Sequence, residues 1–192
     1  MKNFILFAAA LLLITGMQAQ EEKPAELSLK RKFELSPALS LQLIRGKGYE
    51  SMTMLSVPVR GIYFFNDHFG LGNEVLATIT EDDYGVIFAG RTEYCFSPAG
   101  YTLPFISAGA GFSNGAFPVD RTAAKIYSTP LAVVFIGTGV KSLLNNSMLF
   151  RFDLQFRHFS GNDGNYSLFS DSDPVKIRVG YLECTFGVSI LL

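Results

Sequence analysis

The 192-residue sequence contains no tryptophan, only two cysteines and two histidines, and few charges, which make up 17% of its residues. Its formal net charge of −1 provides no basic surface of the kind that nucleic-acid binding requires. The chain also lacks a cluster of metal ligands, a phosphate-binding loop and a nucleotide fingerprint. We therefore expect no nucleic-acid partner, no metal and no cofactor.

Long apolar runs are missing too, except at the N-terminus. Residues 1–19 combine Lys2, an apolar run over Phe4–Ile14 and small or polar residues around Ala19. This pattern is typical of a secretory signal peptide, and we expect export with cleavage after Ala19. No later segment approaches the roughly 18 to 20 continuous apolar residues of a spanning helix. If the exported chain enters a membrane, it must do so as β-strands.

The rest of the chain alternates apolar and polar residues with a period of two. Between Leu35 and Leu43 the odd positions are apolar, while Ser36, Ser40 and Gln42 lie between them. A strand buries such a pattern on one side and a helix does not. Similar patterns predict about eight strands of roughly ten residues, the length that crosses an outer membrane when tilted. They are Leu35–Leu43, Ser51–Phe65, Leu71–Thr80, Tyr84–Phe96, Leu103–Phe112, Pro130–Lys141, Leu149–Ser160 and Val175–Leu192.

The connections between these segments alternate in length. Asn66–Gly70, Ser97–Gly100 and Leu144–Ser147 are rich in turn-forming residues, whereas Ser113–Ser128 and Gly161–Asp173 are long. Outer-membrane barrels combine short periplasmic turns with longer extracellular loops, and both of their chain ends lie on the periplasmic side. The alternation therefore predicts the direction of every strand.

These patterns together predict an all-β fold, an antiparallel up-and-down transmembrane β-barrel of about eight strands. We expect the barrel to cover residues 34–192, after a periplasmic segment at 20–33, in the outer membrane of a Gram-negative bacterium. The pattern leaves the oligomeric state open. A soluble secreted barrel that encloses a ligand cavity, as in lipocalins, is the alternative fold.

The charged residues predict which face of the barrel points inward. Arg91, Glu93, Arg151, Asp153, Arg157 and Glu183 all lie opposite the apolar stripes. Charges of both signs can pair inside a narrow barrel, whereas a single charge facing lipid is costly. We therefore expect a charged lumen and an apolar outer wall.

The two cysteines, Cys95 and Cys184, belong to the fourth and eighth predicted strands, across the barrel from each other. A disulfide requires Cα atoms within about 7 Å, which is less than the diameter of a barrel. We expect two free thiols in the lumen.

The apolar stripe of the seventh segment ends in polar residues. Phe150, Phe152, Leu154 and Phe156 share one strand face with His158 and Ser160. Because this strand starts from a short turn, it runs outward and carries the polar pair to its extracellular end on the lipid side. A serine two residues from a histidine on one face lies close enough for the imidazole to act as its general base.

The segment "FRHFSGN", after an amphipathic strand of a small barrel, resembles the His-x-Ser motif of the lipid A 3-O-deacylases, the acyloxyacyl-hydrolase-like outer-membrane enzymes. The similarity extends more loosely over the last half of the chain. It implies an ester hydrolase that removes an acyl chain from lipid A of lipopolysaccharide in the outer leaflet. Ser160 would be the nucleophile and His158 the base.

Gly161 and Asn162 mark a departure from the family. The resemblance implies an asparagine directly after the serine, near the oxyanion site. Here Gly161 occupies that position and Asn162 follows it. We expect backbone amides near these two residues to hold the oxyanion.

The acid that orients the histidine is a second departure. In the family a glutamate lies about a dozen residues beyond the serine, where this chain has "SDSDPV", so Asp173 or Asp171 would serve. Asp173 is in phase with the apolar residues of Val175–Val179, which predicts an outer-wall position beside the histidine. Glu183 is expected to point inward. The predicted catalytic set is therefore Ser160, His158 and Asp173.

A different class of function is also compatible with the sequence. A non-enzymatic outer-membrane barrel would use its long connections to bind a partner or would stiffen the membrane. A His and a Ser at the membrane rim cost only about 0–1 kcal/mol and need no catalytic explanation. The barrel fold by itself does not choose between these classes.

Overall fold

The structure, a computed structural model, describes residues 28–44, 52–79, 84–96, 101–115, 130–162 and 176–192. These residues form eight strands, and all eight predicted strands are confirmed. The strands are β1 (Phe33–Ile44), β2 (Met52–Phe64), β3 (Phe69–Ile79), β4 (Tyr84–Cys95), β5 (Thr102–Gly115), β6 (Leu131–Asn145), β7 (Met148–Asn162) and β8 (Lys176–Leu191). The predicted signal peptide at 1–19 lies outside the described residues.

The eight strands close into one barrel. Each strand pairs in antiparallel fashion with the next, and β1 also pairs with β8, for example Leu41 with Cys184. Closure removes the free strand edges that would otherwise leave backbone groups unpaired in lipid. The predicted all-β, up-and-down antiparallel architecture is confirmed. The described residues include no helix that is long and apolar enough to cross a membrane.

The two ends of the barrel differ. The start of β1 and the end of β8 lie at one end, here called the proximal end, with the turns at 65–68 and 146–147. The Asn66 side-chain oxygen accepts hydrogen bonds from the backbone N–H groups of His68 and Phe69, both at 2.8 Å. The opposite, distal end carries the connections at 116–130 and 163–175. The connection between β3 and β4, residues 80–83, also lies at the distal end and is short, so the asymmetry in length is weaker than predicted.

Side chains alternate strictly between the lumen and an outer wall. On β7, Arg151, Asp153 and Arg157 are fully buried, whereas Phe156 on the outer wall is 51% exposed. On β6 the outward Ile136 is 65% exposed. The predicted assignment of charges to the lumen and apolar residues to the outer wall is confirmed.

The lumen is filled in three layers. An apolar cluster at the distal end includes Leu76, Phe135, Phe159 and Tyr181. A second apolar cluster at the proximal end includes Leu29, Phe64, Phe105 and Leu149. Charged side chains lie between these two clusters, so the described interior is a packed core and offers no open channel.

The middle layer holds five cations and five carboxylates, all of them buried and together of zero net charge. They are Arg60, Arg91, Lys141, Arg151, Arg157, Glu34, Glu74, Glu93, Asp153 and Glu183. Most members bind more than one partner: Arg60 Nε lies 2.5 Å from Glu74 and its Nη1 lies 2.7 Å from Asp153. Lys141 Nζ bridges Glu34 at 2.5 Å and Glu93 at 2.7 Å. Multiple partners offset the cost of removing these charges from water.

Aromatic rings join the charged layer to both apolar layers. Lys141 Nζ lies 4.5 Å from the Phe64 ring centroid, and Arg151 Cζ lies 4.6 Å from that of Phe105. At the distal side, Arg157 Cζ lies 4.7 Å from the Phe135 ring centroid. Each contact has the geometry of a cation–π interaction, which is stronger where the charge is desolvated.

Two inward glycines make room for these rings. A Cβ atom on Gly109 would lie 2.3 Å from Cζ of Phe135, and one on Gly139 would lie 2.5 Å from Cζ of Phe105. Contacts that short do not occur between real atoms, so a larger residue would displace the ring from its cation. The glycines are therefore required by close approach.

The segment before β1 closes the proximal mouth. Leu29 is fully buried in the proximal cluster, and the N–H of Arg31 donates to the Phe64 carbonyl at 2.8 Å. Asp67 in the β2–β3 turn accepts hydrogen bonds from the Ser28 hydroxyl at 2.7 Å and from the N–H of Lys30 at 3.1 Å. The Ser28 hydrogen bond, with help from the backbone, holds the pKa of Asp67 below its usual value.

The cysteine prediction is half correct. Both thiols are free, and Cys95 is buried in the lumen. Cys184, however, is level with Leu41 and Leu154 on the outer wall. It occupies an even position of β8, and the odd positions of that strand, such as Glu183 and Thr185, are the ones that face inward.

We predict that Arg151→Leu destabilises the barrel by about 3–5 kcal/mol, because Glu34, Glu93 and Asp153 then lose a buried counter-charge. Phe152→Leu, on the outer wall of the same strand, is the matched control and should cost less than about 1.5 kcal/mol. Urea unfolding in detergent micelles measures both changes. Equal losses for the two variants would contradict the assignment of lumen and outer wall.

Candidate functional site

His158 and Ser160 both lie on the outer wall near the distal end of β7, as predicted. Both side chains are half-buried. The residues are about 6.6 Å apart along the strand, twice the rise of about 3.3 Å per residue. No hydrogen bond joins their side chains among the described residues. An imidazole that leans along the strand spans this separation, because strand side chains tilt along the strand direction.

The neighbouring strands place small and apolar residues beside His158. His158 lies between Val134 on β6 and Gly180 on β8. A Cβ on Gly180 would lie 2.8 Å from Cζ of Phe156, so the Phe156 ring occupies part of the space that a side chain there would need. Val134 on the other side is aliphatic, and His158 between these neighbours is half-buried.

Ser160 has a different pair of neighbours. It is level with Ala132 on β6 and with Arg178 on β8. Arg178 is exposed on the outer wall. The hydroxyl of Ser160 therefore has a methyl group on one side and an arginine on the other.

No carboxylate flanks His158 on the described outer wall. The nearby outward positions of β6 are Ala132, Val134 and Ile136, and those of β8 are Arg178, Gly180 and Leu182. Glu183 points into the lumen, as predicted, where it binds Arg157 Nε at 2.7 Å. The predicted acids, Asp171 and Asp173, belong to residues 163–175, between β7 and β8. These two residues lie outside the described ranges, so their assignment remains a prediction.

The predicted phase of Val175–Val179 is wrong. Val179 packs against the distal cluster of the lumen, on the same side of β8 as Tyr181, and does not share the outer wall. Odd positions of β8 thus face inward. The apolar residues at the start of β8 continue the lumen's distal apolar layer, which hydrophobicity alone does not distinguish from a lipid-facing stripe.

Gly161 and Asn162 continue β7 beyond the serine. Gly161 faces the lumen, where an added Cβ would lie 2.5 Å from Cδ2 of Leu131. The ladder to β8 extends through Asn162, but the ladder to β6 ends at Ser160. Successive strand residues turn their N–H groups to opposite neighbours. The backbone N–H of either Gly161 or Asn162 therefore faces β6 beyond the last β6–β7 pair, Ala132 with Ser160. This position is compatible with the predicted oxyanion role.

A groove of about 500 Å³ runs along the outer wall toward the proximal end from the row below His158. Its distal edge is formed by Ile136 and Phe156, the outward neighbours of Val134 and His158 along their strands. Ala108 and Thr138 leave space at its centre, and larger residues such as Tyr94 and Leu182 border it. The groove surface is mainly apolar, so it is suited to a hydrocarbon chain.

Arg178 is the residue of this region that the sequence reasoning missed. Arg178 occupies an even position of β8, as Leu182 and Phe186 do, so the alternation along the strand predicts that it lies on the outer wall. Its contact with the site arises from pairing with β7, and a single strand's pattern carries no information on that pairing.

No protein-family model matches the sequence, and no curated protein sequence matches it. Solved structures do match. Neisserial surface protein A (NspA) has a TM-score of 0.64 at 10% identity, over 82% of this chain and 96% of that chain. The N-terminal β-barrel domain of Pseudomonas aeruginosa OprF has a TM-score of 0.56 at 14% identity, over 85% and 98%. Yersinia pestis Ail, in complex with the heparin analogue sucrose octasulfate, has a TM-score of 0.53 at 14% identity, over 85% and 99%.

These identities establish the fold alone, which is that of the eight-stranded bacterial outer-membrane barrels. The outer-membrane enzyme PagL also matches, but its TM-score of 0.43 at 14% identity carries no argument about activity. The function must therefore be argued from the residues of this chain.

Proposed function

We propose that this protein is an exported outer-membrane barrel of a Gram-negative bacterium that works from its outer wall. In this proposal it hydrolyses an acyl ester of lipid A in the outer leaflet, as the resemblance to the lipid A 3-O-deacylases implies. One observation carries the proposal: His158 and Ser160 share the outer wall at the distal end, next to an apolar groove that descends from them.

The reaction is acyl transfer through a covalent intermediate. Ser160 Oγ attacks the ester carbonyl carbon while His158 takes the hydroxyl proton. The carbon–oxygen bond to the leaving alcohol breaks, and His158 returns the proton to that oxygen. Water activated by His158 then hydrolyses the acyl-serine. In this scheme a backbone amide near Gly161 and Asn162 supports the oxyanion, and Asp173 holds the imidazole.

In this proposal the groove binds the acyl chain of the substrate. A chain that lies in the groove and reaches up past Phe156 brings its ester to the level of His158 and Ser160. The filled, neutral lumen gives no route for a substrate through the barrel, so the lipid reaches the site from the side. No cofactor takes part in these steps.

A non-enzymatic barrel is the second candidate. The observation in its favour is that the described outward positions beside His158 carry no carboxylate, so a complete triad depends on an acid from outside the described residues. In that case His158 and Ser160 would be interfacial residues, and the protein would bind a partner or stiffen the membrane.

We predict that Ser160→Ala and His158→Ala each abolish deacylation, with a loss of about 10²–10⁴-fold or more, because each removes a reacting group. Both residues lie on the outer wall, so the variants should still form a heat-modifiable barrel. Mass spectrometry of lipid A from cells that express each variant measures the activity. Ser142→Ala, an outer-wall serine far from the site on β6, is the matched control.

The double variant adds a second criterion. Residues that act as one unit fail together, so Ser160→Ala with His158→Ala should be little worse than either alone. Asp173→Asn should cost less, because it removes support for the imidazole and not a reacting group, and Asp171→Asn tests the alternative acid. Unaltered lipid A turnover by a well-folded Ser160→Ala protein would refute the enzymatic proposal and favour the non-enzymatic barrel.

We predict the orientation from the same scheme: the distal end faces the outside of the cell. A cysteine introduced at Asn114, on the distal outer wall, should react with a membrane-impermeant maleimide on intact cells. One introduced at Asn66, in a proximal turn, should react only after lysis. The unsubstituted chain is the control, because Cys95 is buried and Cys184 lies on the outer wall amid apolar residues. The reverse labelling pattern would invert the topology.

A further inference from the structure

Arg178 is the exception to the charge distribution of this barrel. Ten charged strand residues are buried in the lumen, and their charges sum to zero. Among the strand side chains that the structure describes, Arg178 alone places a charge on the outer wall. A charge on the lipid-facing wall is costly near the middle of a bilayer and costs little near the interface.

The position of Arg178 coincides with the candidate site. It is directly level with Ser160 across the β7–β8 ladder, and His158 with Gly180 forms the next row. Directly opposed residues on one face of a sheet have Cβ atoms about 4.5–5.5 Å apart. The side chain of Arg178 thus starts beside that of Ser160 on the outer wall.

The chemistry of arginine indicates the class of ligand. Its planar guanidinium binds phosphate through two parallel N–H···O bonds, which fix the orientation as well as the position of the group. At the membrane rim, the phosphates available on the lipid side are those of lipid headgroups. A lipid whose phosphate is held at Arg178 has its ester-bearing region at Ser160 and its acyl chains along the apolar wall below.

We propose that Arg178 binds the phosphate-bearing headgroup of an anionic lipid and thereby positions that lipid at Ser160. This inference rests on the proposed function for its catalytic consequence, but the binding itself does not require Ser160 to be active. Arg178 acts as a positioning residue in this role, because it contacts the headgroup of the lipid and not the ester bond that breaks.

Binding is tested first, in the Ser160→Ala background, so that no lipid is consumed. The delipidated protein is offered equal amounts of phosphatidylglycerol and phosphatidylcholine in detergent, and retained lipid is counted by native mass spectrometry. We expect preferential retention of phosphatidylglycerol, a drop of about tenfold in that preference with Arg178→Gln, and substantial recovery with Arg178→Lys. An unchanged preference in Arg178→Gln would overturn the proposal.

Two further measurements are needed. One distinguishes a specific binding site from general electrostatic attraction, and the other distinguishes a lipid ligand from free phosphate. Asn114→Arg combined with Arg178→Gln moves the charge to the distal rim of β5, three strands away from β8, and should not restore the original preference. Full restoration would mean that any rim charge suffices and would overturn the proposal. Excess inorganic phosphate should leave the retained lipid in place, whereas displacement would assign the site to phosphate itself and refute a lipid site.

Kinetics in the active protein distinguish the two proposals. Arg178→Gln should raise KM for an anionic lipid ester by about tenfold with little change in kcat, and should leave KM for a neutral ester unchanged. If the enzyme is active and Arg178→Gln leaves its KM for the anionic lipid unchanged, the positioning role is refuted and the proposed function stays intact. A chain that hydrolyses no ester but loses lipid preference in Arg178→Gln would refute the proposed function and leave the lipid site intact.

Discussion

The neutral charge network in the lumen is the constraint on which the rest of this structure depends. Five cations and five carboxylates are buried with no access to water, and each is tolerated only because others compensate it. The network spans most of the strands, since Arg60 on β2 contacts Glu74 on β3 and Asp153 on β7. Contacts between distant strands tie the wall of the barrel together across its interior, beyond the ladder hydrogen bonds between neighbours.

The network also determines what the outer wall can be. When the strand charges pair inside, the outward positions are left to aliphatic and aromatic residues, and the wall becomes a surface suited to lipid. Outward threonines of this wall bond to backbone carbonyls, as Thr92 does to Ala108 at 3.2 Å and Thr138 to Phe105 at 3.0 Å. On this mainly apolar surface, the cluster of His158, Ser160 and Arg178 combines two polar groups with the one charge that the described strand side chains place outward.

Because the lumen is closed and filled, the outer wall is the main surface that this barrel can use for chemistry or recognition. An eight-stranded barrel has little interior space beyond that of its side chains, and here those side chains form two apolar layers around the charged one. The described interior contains no open path through which a solute could pass. Chemistry or recognition must then involve the outer wall or the connections at the ends, and the outer wall places a serine, a histidine, an arginine and an apolar groove in one region.

The sequence by itself determined the eight strands, their inward and outward faces and the outer-wall position of His158 and Ser160. It did so because a period of two is a local property that each strand carries along its own length. The tertiary structure alone decided which residues stand beside that pair, since register links Ser160 to Arg178 across a long connection that no local pattern describes. It also decided the faces of Val179 and Cys184. The ends of the lumen are apolar, so a hydrophobic residue such as Val179 suits either face, and the small, weakly polar thiol of Cys184 carries no preference strong enough to reveal its own.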